Sequence, residues 1–253
     1  MKWEHKCDID WLRSRQRYLT ASDIKSLLPV TKTGRKREVT DAEYLKVMAS
    51  KMVSITEEDC MSYGAAARGH IMEPYAIDAL NAILEEMQGE EDAEKFYWWD
   101  DELVTRHGRV IAFSPDAMDI PMGLQMLVPH AIAEVKSYEA TRHLLTAYTP
   151  KDQIEERWQI ATAMALCDNI DHAYLVLFNP KMKYRKTFVI RFDRDELKDE
   201  IDMILQVERD WCDFRENGPL TTVPINGAIH SHHGGSEEGI WEDYSRHYNL
   251  NPV

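Results

Sequence analysis

Around Gly89-Glu90-Glu91-Asp92 the periodicity of the chain changes, and that change limits the folds open to it. Before the turn, residues 65–88 repeat their apolar positions as a helix does. Ala76, Ile77, Leu80 and Leu84 stand at +3, +4, +7 and +11 from Glu73, which puts Glu73 on the apolar stripe. After the turn come short runs rich in aromatic and β-branched residues, Phe96 to Trp99, Arg109 to Phe113 and Ile132 to Lys136, which read as strands. A helical stretch from Ala140 to Tyr148 stops at Thr149-Pro150, and a second runs from about Asp152 to Cys167. Two further strands, Ala173–Phe178 and Thr187–Phe192, are joined by a turn at Asn179-Pro180-Lys181-Met182-Lys183, and a last helix covers Asp195–Glu216. Upstream, residues 8–28 read as two helical pieces with Thr20 or Ser22 as cap, and Thr40-Asp41-Ala42-Glu43 has the form of a capping box opening a helix towards Met52. This mixture predicts an α/β (α+β) fold: a central mixed sheet, mostly antiparallel at its edges, flanked by helices.

A chain of 253 residues that is 44% hydrophobic can bury one sizeable core. One domain over residues 1–217 is expected, with an arm or tail over 218–253. No window is apolar enough to span a bilayer, and MKWEHKCDID has no signal-peptide core, so a cytoplasmic chain with no membrane contact is expected. Cys7, Cys60, Cys167 and Cys212 are scattered singly, which excludes a CxxC zinc or redox motif and suits reduced thiols. The net charge of -14 argues against a chain that coats nucleic acid along its whole surface. It leaves room for basic residues gathered in one channel.

Glu134 and Lys136 sit two apart inside Ile132-Ala133-Glu134-Val135-Lys136. On a strand they share a face. Ser114-Pro115-Asp116 closes the preceding strand, so two carboxylates meet at neighbouring strand ends with a lysine beside one of them. Oxygen donors of this kind suit Mg²⁺, which takes one or two carboxylates and keeps several waters. A metal lowers the pKa of a bound water, and a lysine can orient that water or stabilise charge growing on a phosphate. An ion pair at a strand edge explains Glu134 and Lys136 taken alone. Glu73 on an apolar helical face, and Gln159 on a largely apolar helix with Ala163 and Leu166, add polar groups in apolar settings in a fixed order.

That order, a helix Glu, then Pro-Asp, then Glu-x-Lys, then a helix Gln, resembles the PD-(D/E)xK nuclease superfamily. Within it, the chain is similar to the phage lambda exonuclease and YqaJ-type viral recombinase family. The likeness runs from about Trp11 to Phe192. It includes Leu19-Thr20-Ala21-Ser22-Asp23, Arg68-Gly69-His70-Ile71-Met72-Glu73, Ser114-Pro115-Asp116, Glu134-Val135-Lys136, Trp158-Gln159 with Met164, and Phe178-Asn179-Pro180-Lys181-Met182. Ala117 departs from the glycine that relatives often carry after the Asp.

The resemblance implies a site of two Mg²⁺ ions, with Mn²⁺ as a substitute, roughly 4 Å apart. Asp116, Glu134 and the Val135 carbonyl would bind one ion, Glu73 would serve the second, and Lys136 and Gln159 would handle the attacking water. It also implies a 5′-phosphate pocket of Arg15, Ser22 and Ser114, since an arginine fork and hydroxyls suit a terminal phosphate. Taken singly, Ser22 reads equally as a helix cap and Ser114 as a turn residue. The implied activity is 5′-to-3′ digestion of one strand of linear double-stranded DNA from a 5′-phosphorylated end, giving mononucleotides and a 3′ single strand. The implied setting is phage or prophage recombination in a bacterial host, with a homotrimer ring around the DNA and a single-strand annealing protein as partner.

Arg35, Lys36, Arg37, Arg68 and Arg142 are candidates for tracking DNA phosphates, with a solvated surface as the plainer reading. His143 is a weaker candidate, Met61 and Tyr63 could wedge at a duplex fork, and Asp119 competes with Asp116 as a ligand. His230, His232 and His233 could take a transition metal or form a polar loop. Two other functions stay open. A restriction-like endonuclease would cut closed circles, and a non-catalytic DNA-end scaffold would have no need of Asp116, Glu134 and Lys136.

Overall fold

The computed structural model of the chain describes residues 9–31, 35–53, 64–99, 103–121 and 129–218. In chain order its strands are β1 (Tyr97–Trp98), β2 (Val104–Thr105), β3 (Ala112–Phe113), β4 (Ala117–Met118), β5 (Ala131–Lys136), β6 (His172–Phe178) and β7 (Thr187–Asp193). Its helices are α1 (Ile9–Gln16), α2 (Ala21–Ser26), α3 (Asp41–Met52), α4 (Gly64–Gln88), α5 (Ala140–Tyr148), α6 (Arg157–Leu166) and α7 (Lys198–Asn217). The main sheet has the order β1-β4-β5-β6-β7, and β2 pairs with β3 apart from it. Only β5 and β6 run parallel; the outer pairings are antiparallel. A parallel pair needs a long crossover, and α5 and α6 supply it. The expected mixed fold is therefore the observed one.

Alternation along β5 divides the interior. Ala131, Ala133 and Val135 pack towards α4 with Ala76, Ile77, Leu80, Leu84 and Phe96. Ile132 turns to the other face and joins Ile160, Met164, Leu166, Leu175 and Leu177. Glu134 and Lys136 follow Ile132 in register, so they point towards α6. Residues Ile160 to Leu166 of α6 are all buried, and each large one removed from water contributes roughly 1.5–3 kcal/mol.

Both ends of α6 are clamped. The carbonyls of Met164, Cys167 and Ile170 accept from Arg194 at 2.8, 3.2 and 2.8 Å, and that of Ala165 accepts from Arg109 at 3.1 Å. At the other end, Arg157 is paired with Glu200 of α7. Orphan carbonyls at a helix end need such partners. The clamp fixes the helix that carries Gln159.

Several boundaries differ from expectation. The strand expected over Arg109–Phe113 shortens to β3 and leaves the main sheet, because Arg109 and the Val110 amide are tied to Glu208. The main-sheet place next to β5 goes to β4, two residues with no alternating run to announce them. The helix expected from Asp152 breaks into a 3₁₀ turn at Lys151–Gln153 and α6. Thr20 is the cap of α2, with its amide donating to Asp23 at 2.8 Å, and the Thr40 amide donates to Glu43 at 2.9 Å as the capping box requires. Met61, Tyr63 and the tail from residue 219, with its histidines, lie outside the described residues. No helix among the described residues is long and apolar enough to cross a membrane.

Candidate active site

The β4–β5 register builds the centre. Ala117 faces Ala133 and Met118 faces Ile132, so one more step brings Asp116 opposite Glu134. The Val135 amide donates to Asp116 Oδ2 at 2.5 Å. On a strand the amide and carbonyl of one residue lie on the same edge, so the Val135 carbonyl is also on the Asp116 side. Glu134 is buried; it is ion-paired with Lys136 and accepts from Gln159 Nε2 at 3.0 Å. From α4, Glu73 accepts from Trp98 Nε1 at 3.4 Å and acts electrostatically on Asp116. The structure thus brings Glu73, Asp116, Glu134, Lys136 and Gln159 together from segments far apart in sequence.

Burial pushes the Asp116 carboxyl well above the ordinary carboxylate range, and the charges of Glu134 and Glu73 add to the push against the opposing effects of Lys136 and the Val135 amide. For Lys136, burial works to lower the pKa, but Glu134 and Asp116 outweigh it and the ammonium is held above its usual value. The centre is a cluster of hard oxygen donors whose mutual repulsion a cation relieves. A divalent cation suits such donors; Asp116, Glu134 and the Val135 carbonyl would be the residues to hold it, and Glu73 the one to serve a second. The carboxylates are now engaged by donors of the chain, and among the described residues no three His, Cys, Asp or Glu side chains stand ready as a metal-ligand group. Asp119, the weaker alternative, accepts from the His130 amide at 3.1 Å in the β4–β5 connection, away from this cluster.

A second assembly lies beside the first. The Leu19 amide donates to the Val110 carbonyl at 2.7 Å, and the Ala112 amide donates to the Leu19 carbonyl at 3.0 Å. Leu19 and Ile111 form an isolated parallel bridge, three residues before Ser22 and Ser114 respectively. Ser22 and Thr20 share a hydrogen bond of 2.9 Å, and Thr20 Oγ1 donates to Asp23 at 2.7 Å. Lys51 of α3 pairs with Asp23 at 2.5 Å, and Arg15 is near enough to repel Lys51 electrostatically. Nothing in the local pattern points to Lys51, which lies in a separate helix.

The basic candidates separate. Arg35 and Lys36 are exposed. Arg37 donates to the carbonyls of Leu28 at 2.8 Å and Ser26 at 2.7 Å and pairs with Glu43, so it holds its loop. Arg68 falls in the first turns of α4, where its side chain is outside the described residues. Arg142 lies over the Tyr138 ring at 4.0 Å and reaches Glu156 at 3.2 Å. His143 is buried, and its Nε2 donates to the Arg185 carbonyl at 3.0 Å, so it packs inside rather than on DNA. Nothing in the sequence around Glu156 or Tyr138 points to this contact; Glu155-Glu156 has the look of a solvated pair.

The chain shares its fold with a crystal structure of an alkaline exonuclease (LHK-Exo) from Laribacter hongkongensis. Their TM-score is 0.51 at 17% identity, over 83% of this chain and 97% of that one. A structure of LHK-Exo in complex with dAMP aligns at a TM-score of 0.49 and 19% identity, over 84% of this chain and 100% of that one. At 17% identity the likeness to the first of these is one of fold. No family model matches the chain, and no curated protein matches it.

Proposed function

We propose that the chain is a divalent-metal-dependent deoxyribonuclease that digests one strand of linear duplex DNA from a 5′-phosphorylated end in the 5′-to-3′ direction. The observation that supports it best is the convergence of Asp116, Glu134, Lys136 and Gln159 at one end of the β4–β5 pair, beside Glu73. The alkaline-exonuclease fold agrees with this reading. When bound, Mg²⁺ supplies charge stabilisation and an acidified water. Lys136 and Gln159 would orient the attacking water from the Glu134 side, and Lys136 would stabilise charge growing on the scissile phosphate. Arg15, Ser22 and Ser114 hold the terminal phosphate and so set the polarity. In this reading the enzyme works as a homotrimer ring in phage-type recombination, handing its 3′ strand to an annealing protein.

The test is digestion of linear duplexes with 5′-phosphate or 5′-hydroxyl ends beside a closed circle, in Mg²⁺ and in EDTA. Mg²⁺-dependent loss of the 5′-phosphorylated strand with the circle intact is expected. Ser22→Ala and Arg15→Ala should erase the preference for the phosphate. A nicked circle would replace the exonuclease with an endonuclease, and no cleavage under any condition would replace catalysis with end binding.

A further inference from the structure

We infer that the turn joining β6 to β7 is a track for single-stranded nucleic acid that leads away from the candidate active centre. The inference rests on the nuclease reading for its biological sense, and on the turn itself for its chemistry. In a chain of net charge -14, Lys181-Met182-Lys183-Tyr184-Arg185-Lys186 holds four cations, and no acidic residue intervenes between Asp171 and Asp193. Lys181, Lys183, Arg185 and Lys186 are all exposed, and none is paired with a carboxylate among the described residues. Lys25, Lys51, Arg109 and Arg157, by contrast, are paired within the fold.

Exposed aromatic rings accompany the charge. Tyr184 is 82% exposed and Tyr148 of α5 is 64% exposed, with the Arg185 guanidinium 5.8 Å from the Tyr148 ring. A basic surface interleaved with open aromatic faces is what a flexible polynucleotide needs: cations follow its phosphates and rings stack its bases. Bases in a duplex are already stacked on each other, so open tyrosine faces favour an unpaired strand.

The turn is also held rigidly. Buried Asn179 accepts from the Lys181 amide at 3.0 Å and donates from Nδ2 to the Tyr138 carbonyl at 2.9 Å. The Asn179 amide donates to the Lys186 carbonyl at 2.8 Å, and the His143 ring holds the Arg185 carbonyl. Arg185 has φ 56, a left-handed conformation that a side chain adopts only when its surroundings enforce it. Tyr138 lies two residues beyond Lys136, so these bonds fix the turn relative to the centre. Arg142 lies over the same Tyr138 ring at 4.0 Å.

The experiment measures binding of a short fluorescein-labelled oligodeoxythymidine to the full chain in EDTA over a series of salt concentrations, beside a blunt duplex. Lys181→Gln/Lys183→Gln/Lys186→Gln should flatten the slope of log K against log salt by about 2, at about 0.7 for each phosphate no longer neutralised. Tyr184→Ala should weaken binding about tenfold and leave the slope alone. All these side chains are exposed, so thermal midpoints should match the parent. No binding of the oligonucleotide by the parent chain, or an unchanged slope and affinity in both variants, would overturn the track. An equal loss on the duplex would overturn its assignment to an unpaired strand. Hydrolysis plays no part in the measurement, so a chain that never cuts DNA would sink the proposed activity while leaving this result readable.

Discussion

Glu156 accepts the phenolic hydroxyl of Tyr138, and through that bond the start of α6 is tied to the strand end that carries Lys136. Burial, then the bond to Glu156, holds the Tyr138 phenol well above its usual pKa, so it remains a donor. The Glu156 carbonyl meanwhile accepts the Gln159 amide at 3.0 Å. One residue therefore fixes Gln159 by its backbone and the Lys136 end of β5 by its side chain. Glu156→Ala strands the hydroxyl and should lower stability by about 1–3 kcal/mol. Glu156→Gln keeps an acceptor and should lose clearly less. Urea unfolding of the two variants checks this, and equal losses would rule out the hydroxyl as the reason.

Lys136 should prove a residue of the chemical step. Its ammonium is held charged by Glu134 and Asp116 against the effect of burial, and in the proposed reading it would face the scissile phosphate. Lys136→Met should reduce single-turnover cleavage on the order of 10²-fold to 10³-fold. Binding of the DNA end, read by fluorescence anisotropy, should hold. A parallel fall in binding would make Lys136 an anchor for substrate instead.

The raised pKa of Asp116 gives the protein a pH signature. A carboxyl whose folded pKa lies above its unfolded one favours folding when protonated. That contribution is full below the unfolded value of about 3.9 and is lost as pH rises through the folded value. Asp116→Asn should therefore raise the thermal midpoint of the metal-free protein at pH 8, and the gain should shrink on acidification. Mg²⁺ should raise the midpoint of the parent and not that of the variant. Calorimetry with and without EDTA decides both points.

Lys51 and Asp23 form an ion pair whose side chains are only 9% and 15% exposed. Removing Lys51 leaves the Asp23 carboxylate with only the Thr20 amide and hydroxyl and should cost about 1–3 kcal/mol, so Lys51→Met should unfold earlier in urea. Lys51→Met/Asp23→Asn should recover part of the loss, because the stranded carboxylate is gone. If the double variant is as unstable as the sum of the two singles, the pair contributes nothing to the fold.

The parts of this fold that were legible in sequence were those whose signals are local. The stripe of Ala76, Ile77, Leu80 and Leu84 identified α4, Thr40 and Glu43 marked the start of α3, and the two-residue spacing of Glu134 and Lys136 put them on one face of β5. What stayed hidden depends on partners distant in sequence. β4 is a strand only because β1 and β5 flank it. The run at Arg109 has strand composition, yet Glu208, 99 residues on, takes its guanidinium and shortens the strand. Arg37 belongs to a basic loop, but its geometry is set by Ser26, Leu28 and Glu43. Glu156 looks like a surface charge until the crossover brings it against Tyr138.

The two backbone bonds that Leu19 makes to the strand ending at Phe113 have a kinetic consequence. They tie the chain three residues before Ser22 to the chain three residues before Ser114. In the proposed enzyme these bonds would couple the segment that grips the terminus to the segment that carries Asp116. The distance from grip to cut is then a constant of the molecule, so each cycle should advance by the same single increment. Translocation becomes a property of the strand slipping through, and the protein itself need not flex to take a step.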